Sequence, residues 1–380
     1  MEIGSFGHRR AVTGMSVPAG QNGSMLAAGE VVRFDGPWDR PDELRRLNGL
    51  MRYSNGTYNN GFAITGMAYL GHWYATDQIP RRAVDQGLIG RLGNIDPSDG
   101  GLAHRYSLSG RWNETDATGA TRISAYVVRS DLALFSNFTY FLSNPIDGDQ
   151  FKQADDRWIA GGSASRTFFG TGPTGLKTET TIGLQTRYDA IRAGLFNTKE
   201  RTVLSTVRND QVQESSVGVF GEQTRRIGSE FTLRSKLNRL VSLDFDAAYA
   251  RARFLEDDPA APGRYVPGAV EGVVSAAINF DDVWGGWFGG LRVRYFGPRP
   301  LIEDNSVRSN SSTPVSARLG YKFDDGLIVR IDAFNIFDQK SHQIDYFYAS
   351  RMAFETAAVD DIHFHPLEPR SFRLIVRKEF

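Results

Sequence analysis

Strict alternation of apolar and polar residues constrains the fold of this chain more than any other sequence feature. In "VSARLGYKF", apolar residues occupy every second position from Val315 to Phe323, and the intervening positions are polar or glycine. The same period of two recurs in "VSLDFDAAY", "WFGGLRVRY" and "LIVRIDA". This period predicts β-strands that each turn one face towards an apolar medium.

The opposite faces of these predicted strands carry full charges. Solvated sheets and the water-filled interiors of barrels both have such faces. The charges either line a permeation path or pair with one another across adjacent strands, and the alternation does not decide between these alternatives. The candidate lumen-lining residues are Asp244, Asp246, Arg292, Arg294, Arg318, Arg330 and Asp332.

The last ten residues, "SFRLIVRKEF", continue the alternation to the final residue. We predict a terminal strand whose apolar face meets lipid and which closes the sheet against an early strand, so that no edge stays free. Lys378 interrupts the apolar face, where a long side chain reaches the headgroups. The residues predicted to act in assembly through this strand are Phe372, Leu374, Val376 and Phe380.

Composition excludes several classes of protein. Lysine plus arginine equals aspartate plus glutamate at 44 each, whereas a general nucleic-acid binder should be basic. The absence of cysteine excludes disulfides, thiolate metal sites and a cysteine nucleophile. No stretch approaches the roughly 18 apolar residues of a membrane helix, but a membrane barrel does not need one. The opening "MEIGSFGHRR" lacks the apolar run of a signal peptide, so for an exported protein we expect a missing front end.

The predicted connections alternate between short and long. Residues 324–326, "DDG", suit a tight hairpin, whereas the links at 75–101, 135–155 and 338–366 are long. Short periplasmic turns and long extracellular loops are typical of outer-membrane barrels. We therefore predict an all-β fold, an antiparallel transmembrane β-barrel of about 15–16 strands. The best helical candidate, residues 40–53, remains ambiguous between helix and strand.

Two late stretches carry a resemblance to a known family. "SARLGYKFDDGLIVRIDAFNIFDQKSHQIDYFYASR" and "HFHPLEPRSFRLIVRKEF" resemble the closing region of TonB-dependent outer-membrane receptors. The resemblance is specific across residues 264–380 and looser in the earlier half. It implies uptake of a scarce ligand, such as a siderophore or cobalamin, by a barrel of about 22 strands around an N-terminal plug domain.

The chain departs from that family pattern in two ways, and one internal segment is abnormal. "EIGSFGHRR" already reads as a barrel strand, so residues 1–380 are expected to be barrel with no plug domain and no signal peptide. The predicted strand count is low. Strand directions assigned from the two termini disagree around residues 219–237, where an antiparallel meander would need two neighbouring segments running the same way. We expect an internal junction there, with an odd number of family strands absent.

Four residues near the C-terminus are weak candidates for a metal site, namely His363, His365, Asp360 and Asp361. Imidazole and carboxylate together suit a transition metal, but a structured loop entering the last strand explains the same residues. Earlier in the same long loop, residues 338–366, Tyr346, Phe347 and Tyr348 are candidates for ligand contact. Trp284 and Trp287, beside a short turn, fit an interfacial aromatic girdle.

No enzyme motif stands out. "GTGPTG" lacks the Gly-Lys-Ser/Thr ending of a phosphate loop, so we predict no enzymatic activity and no cofactor. The leading hypothesis is a receptor-like barrel in the outer membrane of a Gram-negative bacterium. A passive pore or non-functional fragment without a plug is the alternative, and a soluble β-rich binding protein is a third reading. The implied partners are outer-membrane lipid, the barrel assembly machinery and a small ligand, with TonB a partner only if a plug is supplied elsewhere.

Overall fold

The computed structural model is built almost entirely from β-strands, and it describes residues 1–171, 177–222, 231–249 and 263–378. The strands are β1 (Glu2–Gly4), β2 (Arg9–Pro18), β3 (Gly23–Phe34), β4 (Leu44–Gly56), β5 (Gly61–Tyr74), β6 (Ile79–Pro80), β7 (Gly100–Thr115), β8 (Gly119–Ser136), β9 (Phe151–Thr171), β10 (Lys177–Lys199), β11 (Thr202–Glu222), β12 (Phe231–Lys236), β13 (Val241–Tyr249), β14 (Gly272–Val283), β15 (Trp287–Phe296), β16 (Val315–Lys322), β17 (Leu327–Phe334), β18 (His342–Ser350), β19 (Val359–Pro366) and β20 (Ser371–Lys378). One short helix, α1 (Arg81–Asp85), follows β6, and within the described ranges no helix is long and apolar enough to cross a bilayer.

Seventeen of the strands form one antiparallel sheet, which we call the barrel wall. The wall runs from β12 through β17 to β20, then through β1 to β5, and from β7 to β11. Its first strand, β1, has three residues, and each of the other sixteen has six or more. The predicted fold class and a count of about 15–16 strands are therefore confirmed.

The wall has two chemically different faces because paired residues point to the same side of a sheet. On the apolar face, Leu374 pairs with Ile331 and with Ile3. The exposed fraction of these three side chains is 44–52%, which leaves a broad apolar surface uncovered by protein. On the polar face, Asp332 pairs with Arg318 and with Arg373. The alternation read from the sequence thus separates an apolar from a charged side.

The two ends of the wall differ in the length of their connections. Among the described connections, those at one end of the wall, which we call the turn end, have three or four residues, for example 116–118 and 284–286. The other, the loop end, carries the long connections, including 75–99 and 335–370. The predicted hairpin at "DDG" lies at the turn end, where the Phe323 amide donates to the Leu327 carbonyl at 2.8 Å.

The segment left ambiguous between helix and strand forms β4. Its register pairs Leu47 with Val31 of β3 and with Leu70 of β5, so the apolar residues join a continuous apolar row. Arg46 and Asn48 point to the polar face, as a period of two requires. The leucine spacing of this segment fits both a helix and a strand. Because the segment pairs with a strand on each side, it forms a strand.

Among the described residues, β11 is paired with β10 and β12 with β13, which places these two strands at the ends of the sheet. Every pairing between them around the wall is antiparallel, and the number of strands is odd. Both strands therefore run from the loop end to the turn end. The predicted junction at 219–237 includes residues 223–230, which lie outside the described residues.

Candidate functional site

Six connections at the loop end contact one another and form a folded unit, which we call the loop assembly (residues 35–43, 75–99, 137–150, 200–201, 297–314 and 335–370). Within it, β6 pairs with β19, and the Asp39 amide donates to the Leu92 carbonyl at 3.0 Å. Tyr140 forms a parallel bridge with Arg351. Strands β17 and β20, which flank the last connection, are several strands away from β5 and β8 in the wall. The last connection therefore reaches across the ends of the intervening strands.

Arg82, in α1, ties the helix to the β18–β19 hairpin. Its guanidinium makes a forked contact with Glu355, with Nε–Oε1 at 2.7 Å and Nη2–Oε2 at 2.8 Å. Its amide donates to Oδ2 of Asp361 at 3.0 Å, and Nη2 donates to Oγ of Ser350 at 3.2 Å. The three charged side chains are largely buried. A forked, charge-assisted contact of this kind fixes orientation as well as distance.

Gln150 lies at the centre of a second polar network, and its exposed fraction is 2%. Its Nε2 lies 2.7 Å from Ser98 Oγ and 3.1 Å from Asp99 Oδ1. Its Oε1 accepts hydrogen bonds from Thr198 Oγ1 at 3.0 Å and from the Arg201 amide at 2.9 Å. One amide side chain therefore joins three connections of the loop assembly, and each of its polar atoms has a partner.

Asp99 is a buried carboxyl group beside this network, and the amide of Asn137 donates to its Oδ2 at 3.2 Å. Burial raises the pKa of Asp99, and the nearby carboxylates of Asp96 and Asp77 raise it further. Burial also raises the pKa of Asp77. A charge in this environment is unfavourable because desolvation and like charges both oppose it.

Glu200 and Arg201 form the tight turn between β10 and β11, with φ values of 51° and 66°. A left-handed conformation at two successive non-glycine residues costs free energy. The side chain of Arg201 offsets this cost, since Nε donates to the Ser98 carbonyl at 2.6 Å and the guanidinium lies 4.2 Å from the centre of the Tyr74 ring. The strained turn is thus held against the loop that precedes β7.

Three of the four metal candidates are engaged in other contacts. Nε2 of His363 lies 2.7 Å from Ser350 Oγ, and its Nδ1 lies 3.0 Å from the Asp361 carbonyl oxygen. Burial lowers the pKa of His363 to about 4. His365 contacts the edge of the Trp38 ring, Asp361 receives Arg82, and Asp360 is exposed. Among the described residues, no group of three histidine, cysteine, aspartate or glutamate side chains is arranged to hold a metal ion.

The three ligand-contact candidates lie on β18 but differ in exposure. Tyr346 is exposed, with 43% of its side chain accessible, and Phe347 is partly exposed. Tyr348 stacks on His363 with ring centres 3.7 Å apart, and its buried hydroxyl has no hydrogen-bond partner among the described residues. Tyr346 is therefore the candidate most available to a ligand. At the opposite, turn end of the wall, Trp284 is 90% exposed.

All seven candidate lumen-lining residues lie on the polar face of the wall. Asp332 is buried between Arg318 at 2.8 Å and Arg330 at 3.1 Å. Asn279 donates to Asp244 at 2.9 Å. The face therefore combines local pairing across strands with exposed guanidinium groups. Asp246, Arg292 and Arg294 share it through the pairings of β13 with β14 and β14 with β15.

On the terminal strand, Phe372, Leu374 and Val376 lie on the apolar face and are 41–50% exposed. Strand β20 pairs with β17 over its whole length and with β1 over three residues. The N-terminal amine also donates to the Val376 carbonyl at 2.9 Å. The sheet is therefore continuous across the terminal strand, as predicted. Phe380 lies outside the described residues.

The residues that hold the loop assembly together, chiefly Arg82, Asp99, Gln150 and Arg201, were not found from the sequence. They lie in connections without periodicity, and Arg82 is 273 positions from Glu355. The positions of long connections between clear strands were the available signal. They locate the assembly but not its contacts.

Comparison with known proteins agrees with this geometry. Residues 174–336 match the family described as TonB dependent receptor-like, beta-barrel. Among solved structures, the chain resembles the ferric citrate transporter FecA in its unliganded form, with a TM-score of 0.66 and 10% identity over 98% of this chain and 77% of that chain. It also resembles the ferric yersiniabactin uptake receptor FyuA from Yersinia pestis, with a TM-score of 0.64 and 11% identity over 100% and 79%.

The copper transporter OprC gives a TM-score of 0.59 at 12% identity over 99% of this chain and 78% of that chain. At such identities the likeness is one of fold. No curated protein matches the sequence. The family resemblance stated from the late sequence motifs is confirmed.

Proposed function

We propose that this chain, a TonB-dependent receptor-like β-barrel, takes up a scarce small ligand across the outer membrane of a Gram-negative bacterium. The observation that carries the proposal is the loop assembly, a folded unit of six connections at one end of a wall with a continuous polar face. Such an arrangement offers a binding surface above a hydrophilic path. The similar transporters are described as handling ferric citrate, ferric yersiniabactin and copper, so a metal chelate or a metal ion is the proposed class of ligand.

The proposed path follows the polar face, and its exposed arginines favour an anionic ligand. Arg318 has about half of its side chain exposed although it also contacts Asp332. Anionic metal chelates would be attracted by such groups over roughly a Debye length of 8–10 Å. TonB is a proposed partner where a plug domain completes the receptor.

The proposal requires the loop end to face the cell exterior. Ile146 lies in the loop assembly and is 83% exposed, whereas Trp284 lies at the turn end and is 90% exposed. We expect a membrane-impermeant maleimide to label Ile146→Cys on intact cells and Trp284→Cys only after the outer membrane is ruptured. The reverse pattern would contradict the orientation.

Ligand contact is tested with the purified chain in detergent. Ferric citrate, a ferric catecholate, cobalamin and Cu²⁺ are titrated separately while intrinsic fluorescence is recorded. We expect one of them to bind, and Tyr346→Ala to weaken its binding at least about tenfold because an exposed aromatic platform is lost. Trp284→Phe, at the other end of the wall, is the matched control and should bind as the unaltered chain does.

A second candidate function, a passive pore, is favoured by the directions of β11 and β12. Two strands that run the same way cannot close the wall by antiparallel pairing, and an odd number of additional strands would be needed between them. The 17-stranded wall is about five strands short of the 22 typical of plugged outer-membrane transporters. We propose that residues 219–237 mark an internal junction in a shortened receptor.

The passive-pore hypothesis is tested by conductance measurements in planar bilayers. If parallel pairing of β11 with β12 closes the wall, the shortened barrel with its polar interior should conduct ions steadily without any inner-membrane component. Ligand binding without conductance would favour the receptor function, and conductance without ligand binding would favour the pore.

A further inference from the structure

Three arginines lie side by side on the apolar face of the barrel wall, at its loop end. Arg9 is the first residue of β2, Arg33 lies one residue before the end of β3, and Arg45 is the second residue of β4. The ladders pair Arg9 with Arg33 and Arg33 with Arg45. Directly paired residues share a face with Cβ atoms about 4.5–5.5 Å apart. All three side chains, which we call the arginine row, are exposed.

Among the described residues, none of the guanidinium groups of the arginine row forms an ion pair, although Arg45 acts through space on the nearby Glu43 carboxylate. Two carboxylates, Asp35 and Glu43, line the same cleft of about 280 Å³. Glu43 receives a hydrogen bond from Arg40 at 2.9 Å, so that carboxylate is already engaged. Like charges placed directly opposite one another destabilise a sheet. An external anion bound to the arginine row would relieve this repulsion.

The surroundings of the arginine row indicate what kind of anion it takes. Two positions further along the strands towards the turn end, Val31 pairs with Leu47 on the same face. Their side chains are 49% and 47% exposed. Positive charge therefore stands directly above an uncovered apolar surface. A molecule that carries an anionic head and apolar chains matches both parts at once.

We propose that Arg9, Arg33 and Arg45 bind the phosphate group of an anionic lipid whose chains lie against Val31 and Leu47. Guanidinium groups suit this role because their planar fork binds phosphate oxygens in pairs. The proposal rests on the proposed function in one respect, since it places the loop end in the outer leaflet. The continuity with the apolar face assigns the phosphate to a lipid rather than to free phosphate.

The test compares two variants that lose the same charge. One variant, which we call the row variant, has glutamine in place of Arg9, Arg33 and Arg45. In the matched control, Arg52, Arg105 and Arg122, which lie on the polar face, are replaced by glutamine. Full-length protein in neutral detergent is titrated with phosphatidic acid, with diacylglycerol of the same chains and with inorganic phosphate, and bound lipid is counted by native mass spectrometry.

We expect the unaltered chain and the control to bind phosphatidic acid and to discriminate against diacylglycerol. The row variant should bind phosphatidic acid on the order of a hundredfold more weakly, since each basic residue at an anionic membrane surface contributes about fivefold. Arg33→Lys, which keeps the charge but loses the fork, should lie between them. If the row variant does not fold, binding by Arg33→Lys still tests the proposal.

Three outcomes would overturn the proposal: equal binding by the row variant and the control, equal binding of diacylglycerol and phosphatidic acid, or inorganic phosphate bound as tightly as the lipid. The last outcome would identify a free-anion site. The assay is done in detergent and uses no transported ligand, so it is independent of the proposed function. Failure of ligand uptake with intact lipid discrimination would contradict only the function.

Discussion

The barrel wall and the loop assembly are held together by different kinds of contact. Strands of the wall are joined by long ladders of backbone hydrogen bonds, for example between β9 and β10 over 21 paired residues. In the loop assembly, single buried polar side chains such as Arg82 and Gln150 connect segments that are distant in sequence. The wall therefore distributes its stability over many equivalent bonds, whereas the loop assembly concentrates it in a few. Single substitutions should therefore act more strongly in the loop assembly.

The largest effect is expected for Arg82→Met. Removal of the guanidinium leaves Glu355 and Asp361 largely buried without their partner, which typically costs about 3–5 kcal/mol. We expect the low end, about 3 kcal/mol, because the charged groups keep some contact with solvent. Hydrogen exchange of the β19 amides measures this loss of stability, because local opening of the loop assembly speeds their exchange.

The neighbouring Arg81→Met is the control for Arg82→Met. Arg81 is 56% exposed and its Nε lies 3.8 Å from Asp85, so its loss should be nearly neutral. In both variants the wall should keep its heat-modifiable migration on gels. Equal opening of β19 in the two variants would show that the forked contact does not hold the loop assembly.

A smaller effect is expected for Gln150→Ala. The substitution leaves the hydroxyl of Thr198, whose side chain is fully buried, without its acceptor, and removes the hydrogen bond to Asp99. An unsatisfied buried polar group costs about 1–3 kcal/mol, so we expect about 2 kcal/mol. Gln153→Ala, at an exposed position on β9, should change nothing measurable. Equal protease resistance of residues 137–150 in both variants would contradict the prediction.

The pH dependence of the loop assembly should follow from the raised pKa of Asp99. A carboxyl group whose pKa is raised by folding contributes stability that is fully present below its unfolded pKa of about 4 and is lost as pH rises. The loop assembly should therefore open more readily at pH 9 than at pH 5, by about 1 kcal/mol or more. The opening free energy is measured by hydrogen exchange at the Asn137 amide, with the rate corrected for the intrinsic exchange rate at each pH.

Asp99→Asn should flatten this pH dependence, because the amide keeps an acceptor oxygen but does not ionise. Asp147→Asn is the matched control in the same assembly, since Asp147 makes an ion pair with Lys199 at the surface. An unchanged slope in Asp99→Asn would mean that another group titrates.

Most of the wall could be predicted from the sequence because a period of two reports directly which face each residue occupies. The stretch "VSLDFDAAY" was predicted as a strand and forms β13 with the same bounds. The segment that became β4 was ambiguous because Leu44, Leu47 and Leu50 also fit a helical spacing. Its strand state depends on pairing with β3 and β5, which a single segment does not reveal.

The loop assembly could not be predicted beyond its location. Its contacts join residues far apart in sequence, such as Arg82 and Asp361 at 279 positions, and no local pattern encodes such a pairing. The turn at Glu200 and Arg201 lacks the glycine and asparagine that usually mark a left-handed turn. The arginine row has the same limitation, because its three members become neighbours only through the register of β2, β3 and β4.

The smallest effect is expected in the wall itself, for Asp332→Asn. Asp332 is buried on the polar face, but its partner Arg318 is 51% exposed, so solvent screens much of their interaction. The backbone ladders to β16 and β20 stay intact, and we expect the free energy of unfolding to fall by less than about 1 kcal/mol. The urea midpoint of the heat-modifiable band should hardly move. Asp325→Asn, which removes a surface ion pair with Lys378 at the turn end, is the control of equal charge.

The two variants should differ in conductance instead, with Asp332→Asn shifting selectivity towards anions because Arg318 and Arg330 lose their shared counter-charge. A loss of stability as large as that of Arg82→Met would contradict the proposed difference between the wall and the loop assembly, since it would mean that the wall also depends on single side chains.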